Sequence, residues 1–195
     1  MKWYSIGAFT FPSSWAALVA SFIVTGVFLW LYYGKNKTEW FGNSVFWFIV
    51  TWKFSVILFD FTGFIQQPLT ALYFNGGSKG FWLGVTVALI YIYFKGERQQ
   101  LISGWLLVVL VYEGASEFLA DSGSILSAVN ILIGFSLFFL LLKKGKEAIW
   151  LLVFISWQLL VNLMQGNITS AESMAYIVVT IAVLSISRLR RNSHE

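Results

Sequence analysis

Residues 12–33 read PSSWAALVASFIVTGVFLWLYY, and this stretch decides the fold. It carries no charged residue. Hydrocarbon about 30 Å thick is crossed at about 1.5 Å per residue, so about 20 mainly apolar residues in a row make one spanning helix. Six more stretches meet that standard, and the seven are read as 12–33, 42–61, 80–94, 101–119, 125–142, 148–165 and 173–187. The third is short and is extended back toward Gly76-Gly77, with Gly80 and Gly84 spaced to let a neighbouring helix come close. Short charged or Gly-rich turns join the segments, as in Gly34-Lys35-Asn36-Lys37, Lys95-Gly96-Glu97-Arg98 and Lys143-Lys144-Gly145-Lys146. The expected fold class is therefore all-α, a polytopic integral membrane bundle of seven transmembrane helices, with residues 1–195 forming a single transmembrane helical domain. The first segment lacks a basic leader region and is followed by six more spans, so it is read as retained rather than cleaved.

Composition agrees. Of the 195 residues 58% are hydrophobic, 19% aromatic and only 11% charged, and the mean hydropathy is +0.74. A soluble domain carries about 25% charged residues, more than twice the share available here to face water. There is no cysteine, which removes disulfides, thiolate nucleophiles and Cys-ligated metal from consideration. The single histidine is His194. It cannot supply a Ser-His-Asp triad or a His-based metal site within the membrane, and no cofactor is expected.

Orientation follows from the basic residues of the short loops. With seven spans, Lys35, Lys37, Lys95, Arg98, Lys143, Lys144, Lys146, Arg188, Arg190 and Arg191 fall on one side. Lys2 and Lys79 fall on the other, and Lys53 lies within a span. The N-terminus is therefore expected outside and the C-terminus in the cytosol, as in a multi-pass protein of a bacterial cytoplasmic membrane. The net charge of +4 is explained by topology and anionic headgroups, and no nucleic-acid partner is expected. Trp3, Tyr4, Trp40, Tyr91 and Tyr93 fit an interfacial aromatic belt.

The polar residues inside the spans carry the functional information. Lys53 lies in the second span, with Asp60 two helical turns further along the same face. Glu113 and Glu117 are spaced i, i+4 on the fourth span; Ser124, Ser127 and Asn130 mark the fifth, and Gln158, Asn162 and Gln165 the sixth. An ionisable group at mid-bilayer costs about 2.5–3.5 kcal/mol on insertion scales, so such groups face the bundle interior, a partner or a water-filled cavity. With the orientation above, Asp60, Glu113, Glu117, Asn130, Asn162 and Gln165 fall in the outer halves of their spans, and Glu172 with Ser173 opens the seventh on the same side. The expected site is an outward-opening polar cavity with Lys53 at its floor, lined by Asp60, Glu113, Glu117, Asn130, Gln158 and Asn162, above a largely apolar inner half. The competing reading is that these side chains are interhelical hydrogen bonds worth about 0.6 kcal/mol each. A metal held by Asp60, Glu113 and Glu117 would be an all-oxygen site for a hard cation, and nothing in the spacing fixes its geometry; no metal is expected.

Several of these stretches resemble the bacterial prolipoprotein diacylglyceryl transferases. They are Ser5-Ile6-Gly7 before the first span, Lys37-Thr38-Glu39 opening the second, the run Lys53-Phe54-Ser55-Val56-Ile57-Leu58-Phe59-Asp60, then Gln67-Pro68-Leu69, Gly76-Gly77 and Leu83-Gly84-Val85. Their order is similar to the family's block of an Arg-led helix, a Pro-Leu element and a Gly-Gly segment leading to a His-Gly-Gly motif. The likeness is strongest over the second and third spans and only topological beyond about residue 125. It implies seven spans with the N-terminus outside, and an ancestry of moving a diacylglyceryl group from phosphatidylglycerol to a lipoprotein cysteine. The family's chemistry does not carry over. Residues 76–84 hold no histidine, Glu117 stands where the family has an arginine, and the sixth span offers Gln158, Asn162 and Gln165 in place of Arg and Glu. Lys53 would meet a phosphate as a point charge, without the fork of an arginine, and Lys79 would assist from outside.

Three functions stay open. The first is a non-catalytic relative of the transferases that binds a membrane lipid, such as an anionic phospholipid, or a lipoprotein in the outward cleft. The second is a membrane enzyme modifying a lipid or lipoprotein with a carboxylate-based site, Glu113 or Glu117 acting as general base. The third is a small proton- or cation-coupled transporter.

Overall fold

The computed structural model describes residues 3–6, 9–66, 76–120, 125–141, 147–166 and 169–192. Its helices are α1 (Ser13–Tyr33), α2 (Lys35–Phe59), α3 (Phe61–Gln66), α4 (Gly77–Lys95), α5 (Arg98–Ala120), α6 (Ile125–Leu141), α7 (Glu147–Met164) and α8 (Ala171–Asn192). Each of the seven expected stretches coincides with one long helix. Among the described residues, five segments are long and apolar enough to cross a membrane: α1, α2, α4, Gln100–Leu119 within α5 and Ala171–Leu189 within α8. The helix α7 contributes a shorter apolar stretch, Ala148–Met164, and α6 has 17 residues. The chain is thus an α-helical, multi-pass membrane protein.

One element was absent from the sequence reading. Strands β1 (Trp3–Ile6) and β2 (Phe9–Pro12) pair antiparallel, with Trp3 opposite Pro12 and Tyr4 opposite Phe11. Aromatic and β-branched residues favour strands, and the run Trp3-Tyr4-Ser5-Ile6 before Gly7, followed by Phe9-Thr10-Phe11, is the signal that could have shown it. Pro12 then precedes the first turn of α1 in extended conformation.

The helices divide into two compact units. The first comprises Lys35–Glu97, the second Met1–Gly34 with Arg98–Glu195.

In the Lys35–Glu97 unit, α4 packs along α2, and the glycines of α4 set the distance between them. A Cβ added to Gly84 would lie 2.9 Å from the Phe48 carbonyl oxygen, and one at Gly80 would strike Ser55 Oγ and come within 3.3 Å of the Trp52 carbonyl. The expected close approach at Gly80 and Gly84 is therefore present. Above it the rings of Phe48, Trp52 and Phe81 lie 5.5–5.9 Å apart. The helix α2 stops at Phe59. Asp60, expected to lie inside the span, instead follows its last turn: its N–H bonds to the Val56 carbonyl, while its carboxylate accepts the Gly63 N–H at 3.1 Å and opens α3. A short acidic side chain that can satisfy a free helix N–H is a common reason for a helix to restart.

In the other unit α5 is the hub, packed against α1, α6, α7 and α8. Residues at four-residue intervals, Ser13, Ala17, Ser21, Thr25 and Leu29, form the buried face of α1. On α5 the continuous run Leu106–Leu110 is buried, so this helix is enclosed on more than one side. Tyr33 Oη and Ser103 Oγ, 3.3 Å apart, join α1 and α5 at one end. At the other, Tyr4 donates its hydroxyl hydrogen to the Leu119 carbonyl at 2.9 Å.

Candidate functional site

The polar side chains of α5 to α8 meet at one end of this unit. Helices α5 and α8 run antiparallel, as their hydrogen-bonded partners show: Trp105 Nε1 donates to Thr180 Oγ1 at 2.8 Å, Tyr176 Oη to Glu113 Oε1 at 2.5 Å, and Tyr112 Oη to Glu172 Oε1 at 2.7 Å. The last two bonds form a crossed exchange. Adjacent residues of α5, one a donor and one an acceptor, face an acceptor and a donor one turn apart on α8. Two apolar helices thereby gain two specific contacts, in a setting where apolar packing alone says little about register.

The stripe on α7 reaches three different helices. Gln158 and Asn130 of α6 bond reciprocally through their amides, at 3.2 and 3.4 Å, and Trp157 Nε1 also donates to Asn130 Oδ1 at 2.9 Å. Asn162 donates to Ser173 Oγ of α8 at 3.0 Å. Gln165 reaches Glu117 Oε1 of α5 at 3.5 Å. Asn130 and Gln158 are 2% and 1% exposed, and burial of amides at this level requires such pairing. Ser170, just before α8, accepts the Ser173 N–H at 3.2 Å, the bond a helix N-cap makes.

The residues expected to line one cavity are thus distributed. Glu113, Glu117, Asn130, Gln158 and Asn162 all belong to the unit built on α5; Asn130 and Gln158 bond directly to each other, while Glu113, Glu117 and Asn162 bond to Tyr176, Gln165 and Ser173. Lys53, half-buried on α2, and Asp60, at the start of α3, belong to the Lys35–Glu97 unit. There Lys79 Nζ lies 6.0 Å above the Phe59 ring. Ser124, the side chain of Ser127 and the Gln67-Pro68-Leu69 element lie outside the described residues.

Tyr112, Tyr176, Trp157 and Thr180 were not singled out in the sequence. Their signal was present: Tyr112 adjoins Glu113, and Tyr176 stands four residues from Glu172. The opposite end was read as largely apolar, yet Gln100, Ser103, Thr180 and Ser187 are buried there or toward it.

Chemically, the α5–α8 end is rich in acceptors. Glu113 and Glu172 each take one phenolic hydrogen on Oε1, and among the described residues nothing donates to their second oxygens. Beside Glu113, a Cβ added to Gly114 would meet nothing within 4 Å among the described residues, so α5 has an open side at this level. No group of three or more His, Cys, Asp or Glu able to hold a metal ion occurs among the described residues. No family model, curated protein or solved structure matches the chain.

Proposed function

We propose that this is a seven-span protein of a bacterial cytoplasmic membrane, N-terminus outside, and a compact relative of the prolipoprotein diacylglyceryl transferases that has lost their transfer reaction. It binds a lipid or the lipidated end of a lipoprotein in a polar cleft open to the outer leaflet. One observation carries the reading: Glu113, Glu117 and Glu172 collect with Tyr112 and Tyr176 at one end of α5–α8, beside the open side of Gly114. The second oxygens of Glu113 and Glu172 favour a headgroup that brings hydrogen-bond donors, an ammonium or hydroxyls. Lys53 is the cation on which an anionic phospholipid would draw, and it is tested separately.

The test is the lipid content of the protein purified in mild detergent, measured by mass spectrometry of the extract. Wild-type protein retains lipid. The double variant Glu113→Gln/Glu172→Gln loses it about tenfold for each 1.4 kcal/mol of binding removed, and Lys53→Ala weakens retention of anionic species. A wild-type protein free of lipid rejects the reading.

The buried polar groups away from that end favour a second reading, a proton- or cation-coupled transporter. Trp105 with Thr180, and Tyr33 with Ser103, extend polar contacts along α5. Flux in proteoliposomes that disappears in Glu113→Gln would support it over lipid binding.

A further inference from the structure

The paired strands β1 and β2 have a position fixed by two spanning helices. Pro12 leads into α1 with no linker, and the 21 residues of α1 measure about 31 Å at 1.5 Å per residue, the thickness of the hydrocarbon. The strand that precedes it therefore lies where headgroups begin. The second constraint is the Tyr4 hydroxyl on the Leu119 carbonyl at 2.9 Å, since Leu119 lies in the last turn of α5 and the apolar run there gives way to Asp121 in the sequence. Side chains alternate across a strand, so with Tyr4 turned to α5 its neighbour Trp3 is turned away. Trp3 is 67% exposed, and Phe118, beside Leu119, is 84% exposed. On α1 itself Val19 and Ile23 are exposed, away from its buried face of Ala17, Ser21 and Thr25.

From these positions we infer that the strand pair β1–β2 is a membrane-interface anchor, seated in the headgroup layer of the leaflet where α1 begins, with Trp3 and Phe118 inserted at the boundary of the acyl chains. Indole rings favour that layer because one edge is wet and the body apolar. The partner is the lipid surface itself. The inference is independent of what the α5–α8 cluster binds and of which leaflet faces the cytosol.

The chain has no cysteine, so single-cysteine variants of the full protein take one nitroxide each. Trp3→Cys, Phe118→Cys, Ile23→Cys and Glu97→Cys are reconstituted in phosphatidylcholine vesicles, and collision with oxygen is compared with collision with a water-soluble nickel chelate. The labels at 3 and 118 are expected about 5–10 Å into the headgroup and acyl boundary, shallower than 23 and deeper than 97. Adding Tyr4→Phe frees the label at 3, seen as a narrower spectrum, while the depth at 23 stays unchanged and reports a folded α1. A label at 3 as open to nickel as that at 97 overturns the inference. Shielding from both reagents also overturns it, and identifies a protein partner instead.

Discussion

Tyr176 donates its phenolic hydrogen to Glu113 at 2.5 Å, and one turn earlier on the same helix Glu172 accepts from Tyr112, the neighbour of Glu113 in sequence. The exchange works only in one register. Sliding α8 by one turn would separate both pairs at once and leave two carboxylates and two hydroxyls without partners in a region of low dielectric. The proposed lipid site and the fold therefore share these four side chains, and substitutions there have to be read for both.

Tyr176→Phe removes one donor and Glu113→Gln replaces one acceptor. Each is expected to lower thermal stability in detergent by about 0.6–1.7 kcal/mol, the range of interhelical hydrogen bonds in membranes. The double variant should cost less than the sum, because the two changes act on the same bond, one weakening its acceptor and the other removing its donor. Thermal unfolding of the three variants checks this, and strict additivity would show that the pair contributes no coupling.

The amide pair on α6 and α7 tests the same physics in a fully buried setting. Asn130→Ala strips the acceptor from Gln158 and from the Trp157 indole, and an orphaned buried group costs about 1–3 kcal/mol. The double variant Asn130→Leu/Gln158→Leu leaves only the indole N–H unmatched, so it is expected to unfold at a higher temperature than Asn130→Ala. A double variant that is the less stable of the two would mean that packing, not pairing, dominates at this position.

How much of this was legible in the sequence depended on whether a feature is local. The spans follow from runs of apolar residues, and Gly80 with Gly84 announced a close contact because only missing side chains permit one. The α7 stripe was legible as a stripe, since Gln158, Asn162 and Gln165 fall within one face at spacings of four and three. Which helix each would meet was not, because a face looking at the centre of a bundle meets different neighbours at different heights. The roles of Tyr112 and Tyr176 depend on partners 60 and 63 residues away, beyond any periodicity. Asp60 was misplaced for a different reason: a seven-residue spacing from Lys53 holds only while the helix lasts, and the capping signal lay in Asp60 itself.

The glycine contact gives a contrast within one residue type. Gly84→Leu must push α4 away from the Phe48 backbone, and overpacking of this kind costs about 1–3 kcal/mol. Gly114→Ala meets open space and gains helix propensity of about 0.8–1.0 kcal/mol. Gly84→Leu should therefore melt at a lower temperature than wild type and Gly114→Ala at the same or a higher one. A Gly114→Ala protein that is destabilised would place a neighbour against that side of α5.

The absence of cysteine opens the membrane topology to single-cysteine labelling. Seven spans with the N-terminus outside put Ser78 and Thr169 on the outer face and Asn36 and Glu97 on the inner. A thiol reagent that cannot cross the membrane should label Ser78→Cys and Thr169→Cys in intact cells, and Asn36→Cys and Glu97→Cys only after permeabilisation. These four sites would give the same result if α6 and α7 dipped into the outer leaflet and returned, because a hairpin that does not cross leaves α8 starting on the same side. Lys144→Cys separates the cases. Two crossings by α6 and α7 carry residue 144 to the cytosol, where three lysines within four residues fit the positive-inside rule; a re-entrant hairpin leaves it outside. Labelling of Lys144→Cys in intact cells would reduce the spans to five, the number of helices that satisfy length and hydropathy among the described residues. It would also turn the Asn130–Gln158 pair from a mid-bundle tie into the clasp of an outer hairpin.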